Sequence, residues 1–97
     1  MVWDVKLLYD PIKDERNRQK HGVALSAAAE LFKGPTAVIA DARRDYGEAR
    51  QVAYGFIRQR LFVCVYVDRG ETRRIISLRK ANKREQHAFD QSYTGES

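Results

Sequence analysis

Two histidines, one cysteine and a dense set of arginines are the side chains of this 97-residue chain best suited to chemistry. His21 follows Lys20 and precedes Gly22, where a helix is expected to end. A helix C-terminus favours the imidazolium, so the His21 pKa should rise and suit a proton carrier. A plain capping role accounts for the same placement. His87 falls in a charged helical stretch and reads as solvated, and Cys64 lies in an apolar strand pattern and reads as an inert core thiol. Glu48 and Arg50 sit in the loop before the third strand, as an ion pair or as a base and a phosphate clamp. There is no P-loop, no paired-carboxylate metal motif, no nucleophile elbow and no Cys/His pair at zinc spacing, so no metal and no cofactor is expected. A single cysteine excludes an internal disulfide.

The charge points to a partner. The net charge is +5, and +4 of it falls in residues 51–97, where arginine dominates: Arg58, Arg60, Arg69, Arg73, Arg74, Arg79 and Arg84. Arginine meets phosphate as a planar fork, so a polyanion, most simply nucleic acid, is the expected ligand. A solvated basic face is the alternative. This inventory suits one reaction class. RNA is cleaved without a metal when its own 2′-hydroxyl attacks the adjacent phosphate, given a proton acceptor, a proton donor and positive charge on the phosphorane.

These side chains need a scaffold, and the chain supplies one domain over residues 1–97. Hydrophobic residues make up 43%, which excludes a disordered chain, and no apolar run is long enough for a membrane span. No signal peptide is read at the N-terminus, so a cytoplasmic protein is the expectation. Leu7–Tyr9 reads as a strand. Asp10-Pro11 opens a helix over Ile12–Lys20 that Gly22 ends. A second helix over Ala24–Phe32 carries Leu25, Ala28, Ala29 and Phe32 as one apolar stripe. Strands follow at Thr36–Ala40, Gln51–Arg58, Leu61–Val67 and Thr72–Lys80, and Asn82-x-x-Glu85 is a capping box for a last helix to about Tyr93. The expected class is α+β, an antiparallel sheet with two N-terminal helices and one C-terminal helix in the order β-α-α-β-β-β-β-α.

Two-residue turns at Gln59-Arg60 and Arg69-Gly70 would sort the strands into faces. Val52, Tyr54, Phe56, Val63, Val65, Val67, Ile76 and Leu78 would form the core face. The other face would collect Ala53, Gly55, Ile57, Phe62, Cys64, Tyr66, Arg73, Ile75, Ser77 and Arg79. Ala53 and Gly55 would leave a hollow there beside Tyr66, with Tyr66 and Arg73 as substrate contacts. A slip of one residue would exchange the two sets.

Several of these residues occur in an order that resembles a known family. Asp10-Pro11-x-Lys13, Asn17 and Lys20-His21-Gly22-Val23 are followed by an alanine-rich helix ending at Phe32. Then come Asp41, Asp45, Gly47-Glu48-x-Arg50, Gly55, the strand from Leu61, Arg69, Arg74-Ile75-Ile76-Ser77-x-Arg79-x-Ala81 and Arg84-Glu85. Over about residues 7–90 this resembles the BrnT-type toxins. The resemblance implies a RelE-like fold and a type II toxin that cleaves RNA and inhibits translation. It also implies a cognate antitoxin with a ribbon-helix-helix region, through which the complex would reach operator DNA. By position it implicates Lys20, His21, Glu48, Arg50, Arg69 and Arg79. Arg69 and Arg79 would hold phosphate, Lys20 or His21 would move protons, Glu48 is an alternative base, and Arg50 binds substrate or orders the loop. Tyr9 stands where the family often has Trp, and Ala24 stands where a capping hydroxyl is usual. A non-catalytic nucleic-acid-binding module and a protein-interaction module are the other readings of the same residues.

Overall fold

Asp10 opens the first helix as a local event. Its Oδ1 accepts the Ile12 N–H at 2.8 Å and Pro11 occupies the first turn, where a missing N–H costs nothing. The computed structural model describes residues 6–41 and 49–94. Strand β1 (Lys6–Leu8) leads into α1 (Pro11–His21), which ends at Gly22 in the left-handed region, φ 75°, with the Gly22 N–H donated to the Arg18 carbonyl at 2.8 Å.

The second helix is shorter and tighter than its sequence suggests. A 3-10 turn over Leu25–Ala27 runs into α2 (Ala28–Leu31). Leu25, Ala28 and Leu31 are fully buried, a spacing of three, which is the period of the 3-10 form; Ala29 is exposed and Phe32 only half-buried. Ala24 offers no cap, and Asp14 supplies it from α1, its Oδ1 accepting the Leu25 N–H at 2.7 Å.

Strands β2 (Thr36–Asp41), β3 (Arg50–Ile57), β4 (Arg60–Arg69) and β5 (Thr72–Lys80) precede α3 (Lys83–Thr94). The sheet order is β1-β5-β4-β3-β2. The α+β class stands, but the sheet is mixed rather than antiparallel, because β1 pairs parallel to β5 through Leu7 opposite Arg73. No helix among the described residues is long and apolar enough to cross a membrane.

Both expected turns are displaced. The β3–β4 turn is centred on Arg58-Gln59, with Ile57 opposite Arg60, and both central residues adopt positive φ, 51° and 68°. Glu30 of α2 holds this turn, accepting the Arg58 N–H at 3.0 Å. The β4–β5 turn is centred on Gly70-Glu71, with Arg69 opposite Thr72 and Gly70 at φ 57°. In β3 and β4 the register moves by two residues, so the alternation of faces survives. In β5 it does not. A bulge opposite Val65/Tyr66 inserts Ile76, so that Ile75 faces Tyr66 while Ser77 and Arg79 lie opposite Val65 and Val63 on the other side. Arg79 and Tyr66 are therefore on opposite faces, and Leu78 joins Tyr66.

The expected hollow at Ala53 and Gly55 is also filled. That face is the larger core: Ala53, Ile57, Phe62, Cys64, Tyr66, Ile75 and Leu78 pack against Leu25, Ala28 and Leu31. Gly55 is the seat of Leu31, since a Cβ there would lie 2.9 Å from Leu31 Cδ2. The opposite face holds a second core of Val52, Leu61, Val63 and Ala81 beneath Phe89 of α3. Small residues mid-strand thus mark the docking of α2, not an open floor.

Candidate functional site

Helix α1 is mostly exposed, and its one buried residue is Asn17. β1 pairs with β5 only as far as Arg74, so among the described residues no strand covers the outer edge of β5 beyond that point. Asn17 takes that place. Its Nδ2 donates to the Leu78 carbonyl at 2.8 Å and its Oδ1 accepts the Leu78 N–H at 3.2 Å, as a paired strand residue would. The second Nδ2 hydrogen goes to the Val23 carbonyl at 2.9 Å, fixing the chain just after the Gly22 cap. One carboxamide thus ties the helix, its exit and the strand together.

Along that seam lies a hollow of about 250 Å³, lined by Lys13, Arg16, Asn17, Lys20, His21, Ile76 and Ser77. It sits at the open edge of β5, and the bulge at Ile76 forms part of its floor. Among the described residues no carboxylate lines it. The acids of α1 are engaged elsewhere: Asp14 caps the 3-10 turn and Glu15 accepts from Gln19 at 3.1 Å.

His21 behaves differently from the helix-dipole expectation. Its pKa is lowered, first by burial, then by the positive charges of Lys20 and Arg79. Partial desolvation and two cations outweigh the dipole of the last turn. The imidazole is therefore neutral at pH 7, the form that accepts a proton.

Arg79 does not line the hollow and acts on His21 through its charge. Glu85 grips it through both oxygens, Nη1 to Oε1 at 2.9 Å and Nη2 to Oε2 at 2.8 Å, and Arg79 also donates to the Lys80 carbonyl at 3.2 Å. Glu85 closes the capping box of α3 as well, accepting the Asn82 N–H at 2.9 Å while Asn82 Oδ1 accepts the Glu85 N–H at 2.8 Å. The Arg79 side chain remains 39% exposed. The Glu85 carboxyl is held below its usual range, chiefly by the hydrogen bonds from Arg79 and against the opposing effect of burial.

Lys20, His21 and the field of Arg79 thus come together, and the remaining candidates lie apart. Arg73 forms a bidentate pair with Asp68 at 2.7 and 3.0 Å. Its guanidinium lies 4.5 Å from the Phe32 ring centroid and 4.4 Å from that of Tyr66. Tyr66 is 3% exposed and burial raises its pKa, which leaves a buried phenol where a substrate contact was expected. Arg69 is exposed beside the β4–β5 turn, and Arg50 is half-buried at the start of β3. Glu48 lies outside the described residues, as do Asp45 and Gly47. His87 is exposed on α3, and Cys64 is buried with its thiol pushed up to about 12.

The site residues missed in the sequence were Lys13, Arg16 and Asn17. Their signal was present: Lys13, Asn17 and Lys20 stand at i, i+4 and i+7, one face of a helix. A second hollow of about 300 Å³, between α3 and the sheet, is lined by Ala37, Ile39, Tyr54, Arg84, Glu85, Ala88 and Phe89 and is mainly apolar. Among the described residues no group of three His, Cys, Asp or Glu side chains could hold a metal.

A neutral histidine among cations, in a hollow lined by bases and not by acids, can remove a proton beside a bound phosphate. No curated protein matches the chain. A family sequence model does, described as ribonuclease toxin, BrnT, of type II toxin-antitoxin system, over residues 9–85. That span includes all of α1, the bulged strand β5 and Glu85. The chain belongs to the BrnT family of ribonuclease toxins of type II toxin-antitoxin systems.

Proposed function

We propose that this toxin cleaves RNA without a metal, in the hollow between α1 and the open edge of β5. The observation that carries the reading is the hollow itself, which sets His21 beside Lys20 with Lys13 and Arg16 on the same wall and no carboxylate in its lining. His21 takes the proton of the RNA 2′-hydroxyl. The 2′-oxygen attacks the adjacent phosphorus and the bond to the 5′-oxygen breaks. Lys20 gives a proton to the leaving 5′-oxygen, so the products are a 2′,3′-cyclic phosphate and a 5′-hydroxyl. Lys20 and Arg79 also offset the charge that builds on the phosphorane. Arg73 and Tyr66 belong to the scaffold, and Arg69 and Arg50 contact flanking RNA. Glu48 remains the alternative base. The family resemblance further supports a RelE-like fold, a cytoplasmic location, arrest of translation, and neutralisation by a ribbon-helix-helix antitoxin that carries the complex to operator DNA.

The test is cleavage of a short RNA by the purified chain in EDTA across a pH series. Cleavage should survive chelation and leave a cyclic phosphate. His21→Ala should lose about 10²–10⁴ in rate. The acid limb of kcat/KM should fall below the ordinary histidine value, because burial, Lys20 and Arg79 all favour the neutral ring. Cleavage that needs an added divalent cation, or full activity in His21→Ala, would overturn the reading.

A further inference from the structure

Four residues of the hollow are basic, and the proposed chemistry uses only two of them. Lys13 and Arg16 lie nearer the N-terminus of α1, on the same wall as Lys20 and His21. At a rise of about 1.5 Å per residue, Arg16 stands about 6 Å and Lys13 about 10 Å from Lys20 along the helix axis. Such intervals suit neighbouring phosphates of one extended strand.

Charge on this helix is sorted by face. Asp14 and Glu15 are the acids between Lys13 and Lys20, and both are turned to other partners, the Leu25 N–H and the Gln19 amide. Among the described residues no carboxylate pairs with Lys13, Arg16 or Lys20, whereas Arg73 and Arg79 are each gripped by one. The wall is also fixed in place. Asn17 lies within the basic row, is only 6% exposed, and anchors it to Leu78. An ordinary solvated helix face needs neither the sorting of acids nor a buried anchor in its centre.

We propose that Lys13 and Arg16 form a second phosphate subsite, which holds the RNA backbone phosphate next to the one that is cleaved. The proposal rests on the reading of His21 and Lys20 as the reacting end of the hollow. The subsite recognises backbone charge and not base identity, so it lengthens the footprint of the enzyme without adding sequence preference. It also sets a direction: the strand lies along α1, with the scissile phosphate at the C-terminal turn.

The test uses uncleavable 2′-O-methyl oligonucleotides with one, two and four phosphates, bound to the full chain across a salt series. It reads binding, so it does not depend on turnover. The double variant Lys13→Gln/Arg16→Gln should weaken binding of the four-phosphate strand severalfold and of the one-phosphate dinucleotide far less. Its slope of log affinity against log salt should fall by about 0.7 for each phosphate that is no longer neutralised. Lys33→Gln, an exposed lysine after α2, should leave the slope as in the parent chain. An unchanged slope in the double variant overturns the subsite, and so does an equal loss on all three lengths. Failure of the chemistry has a separate signature: wild-type chain that binds these strands with the expected slopes but cleaves no RNA sinks the role of His21 and leaves the subsite standing.

Discussion

Asn17 is the residue whose removal should cost most for its size. Its carboxamide makes three hydrogen bonds, at 2.9, 2.8 and 3.2 Å, from a side chain that is 6% exposed. Asn17→Ala leaves the Val23 carbonyl and both backbone groups of Leu78 without that partner. A buried group left unsatisfied costs about 1–3 kcal/mol. Water can reach the edge of β5 in part, so the low end applies, and the sum is about 3 kcal/mol. A domain of this size has about 5–15 kcal/mol in total. The loss should therefore lower the thermal midpoint by more than about 10 °C.

Three further variants separate the hydrogen bonds from the packing. Asn17→Leu restores volume without donors and should be as unstable as Asn17→Ala. Asn17→Asp keeps the shape but sets a carboxylate against two carbonyl oxygens. Its destabilisation should grow as pH rises and the acid ionises, because the folded state favours the protonated form. Gln19→Ala, on the exposed side of α1, should change stability by less than about 0.5 kcal/mol. Urea unfolding followed by far-ultraviolet circular dichroism at two pH values measures all four. If Asn17→Ala stays within about 1 kcal/mol of the parent at equal m-value, the clasp is not what joins α1 to β5.

Two other substitutions test the scaffold. Gly55→Ala places a Cβ 2.9 Å from Leu31 Cγ and Cδ2 and 3.2 Å from its carbonyl oxygen, and should cost about 1–3 kcal/mol; in Gly55→Ala/Leu31→Ala the losses should fall short of additive by thermal denaturation, and strict additivity would refute the contact. Glu85 has a depressed carboxyl pKa, so its contribution is present above its unfolded value of 4.5 and is lost as pH falls through the lower folded value. Glu85→Gln should flatten the acid limb of the thermal midpoint against pH, and parallel curves for variant and parent would contradict the pairing with Arg79.

What could be read in the sequence was what is decided locally. Asp10-Pro11 and Gly22 bound α1, and Asn82 with Glu85 caps α3, because each signal and its partner lie within a few residues. What could not be read was decided at a distance. The β3–β4 turn carries neither Asn nor Gly at its centre; Glu30, 28 residues away, holds it. The insertion of Ile76 reverses the faces of β5 from Ser77 onward with no glycine or proline to announce it. The same distinction divides the site. Lys20 and His21 could be found because Gly22 marks the end of their helix. The partners of Arg73 and Arg79 could not, because both arginines look alike in sequence until Asp68, Glu85 and the two rings are folded around them.

The net charge of +5 gains a meaning that composition could not give it. Arginine is the residue best shaped to bind a carboxylate with two parallel bonds, and here Arg73 and Arg79 do so. Arg73 is thereby tied into the scaffold, and Arg79 is held in place by Glu85 while its side chain stays 39% exposed. The cations of α1 that line the hollow have no such partner among the described residues, and Lys20 with Arg79 helps to keep His21 neutral. On the proposed reading the two effects are one. The field that draws phosphate into the hollow also lowers the proton affinity of His21 in the unoccupied enzyme. A bound phosphate cancels part of that field, so the proton affinity of the ring rises when the 2′-hydroxyl arrives. The base is thus ready before substrate binds and stronger once it has bound. In the pH series proposed for RNA cleavage, this ordering requires the acid limb of kcat to lie at higher pH than that of kcat/KM. Coincident limbs would mean that the cations serve only to attract RNA and leave the histidine as it was, and limbs in the reverse order would mean that bound substrate buries the ring more than its phosphate offsets the cations.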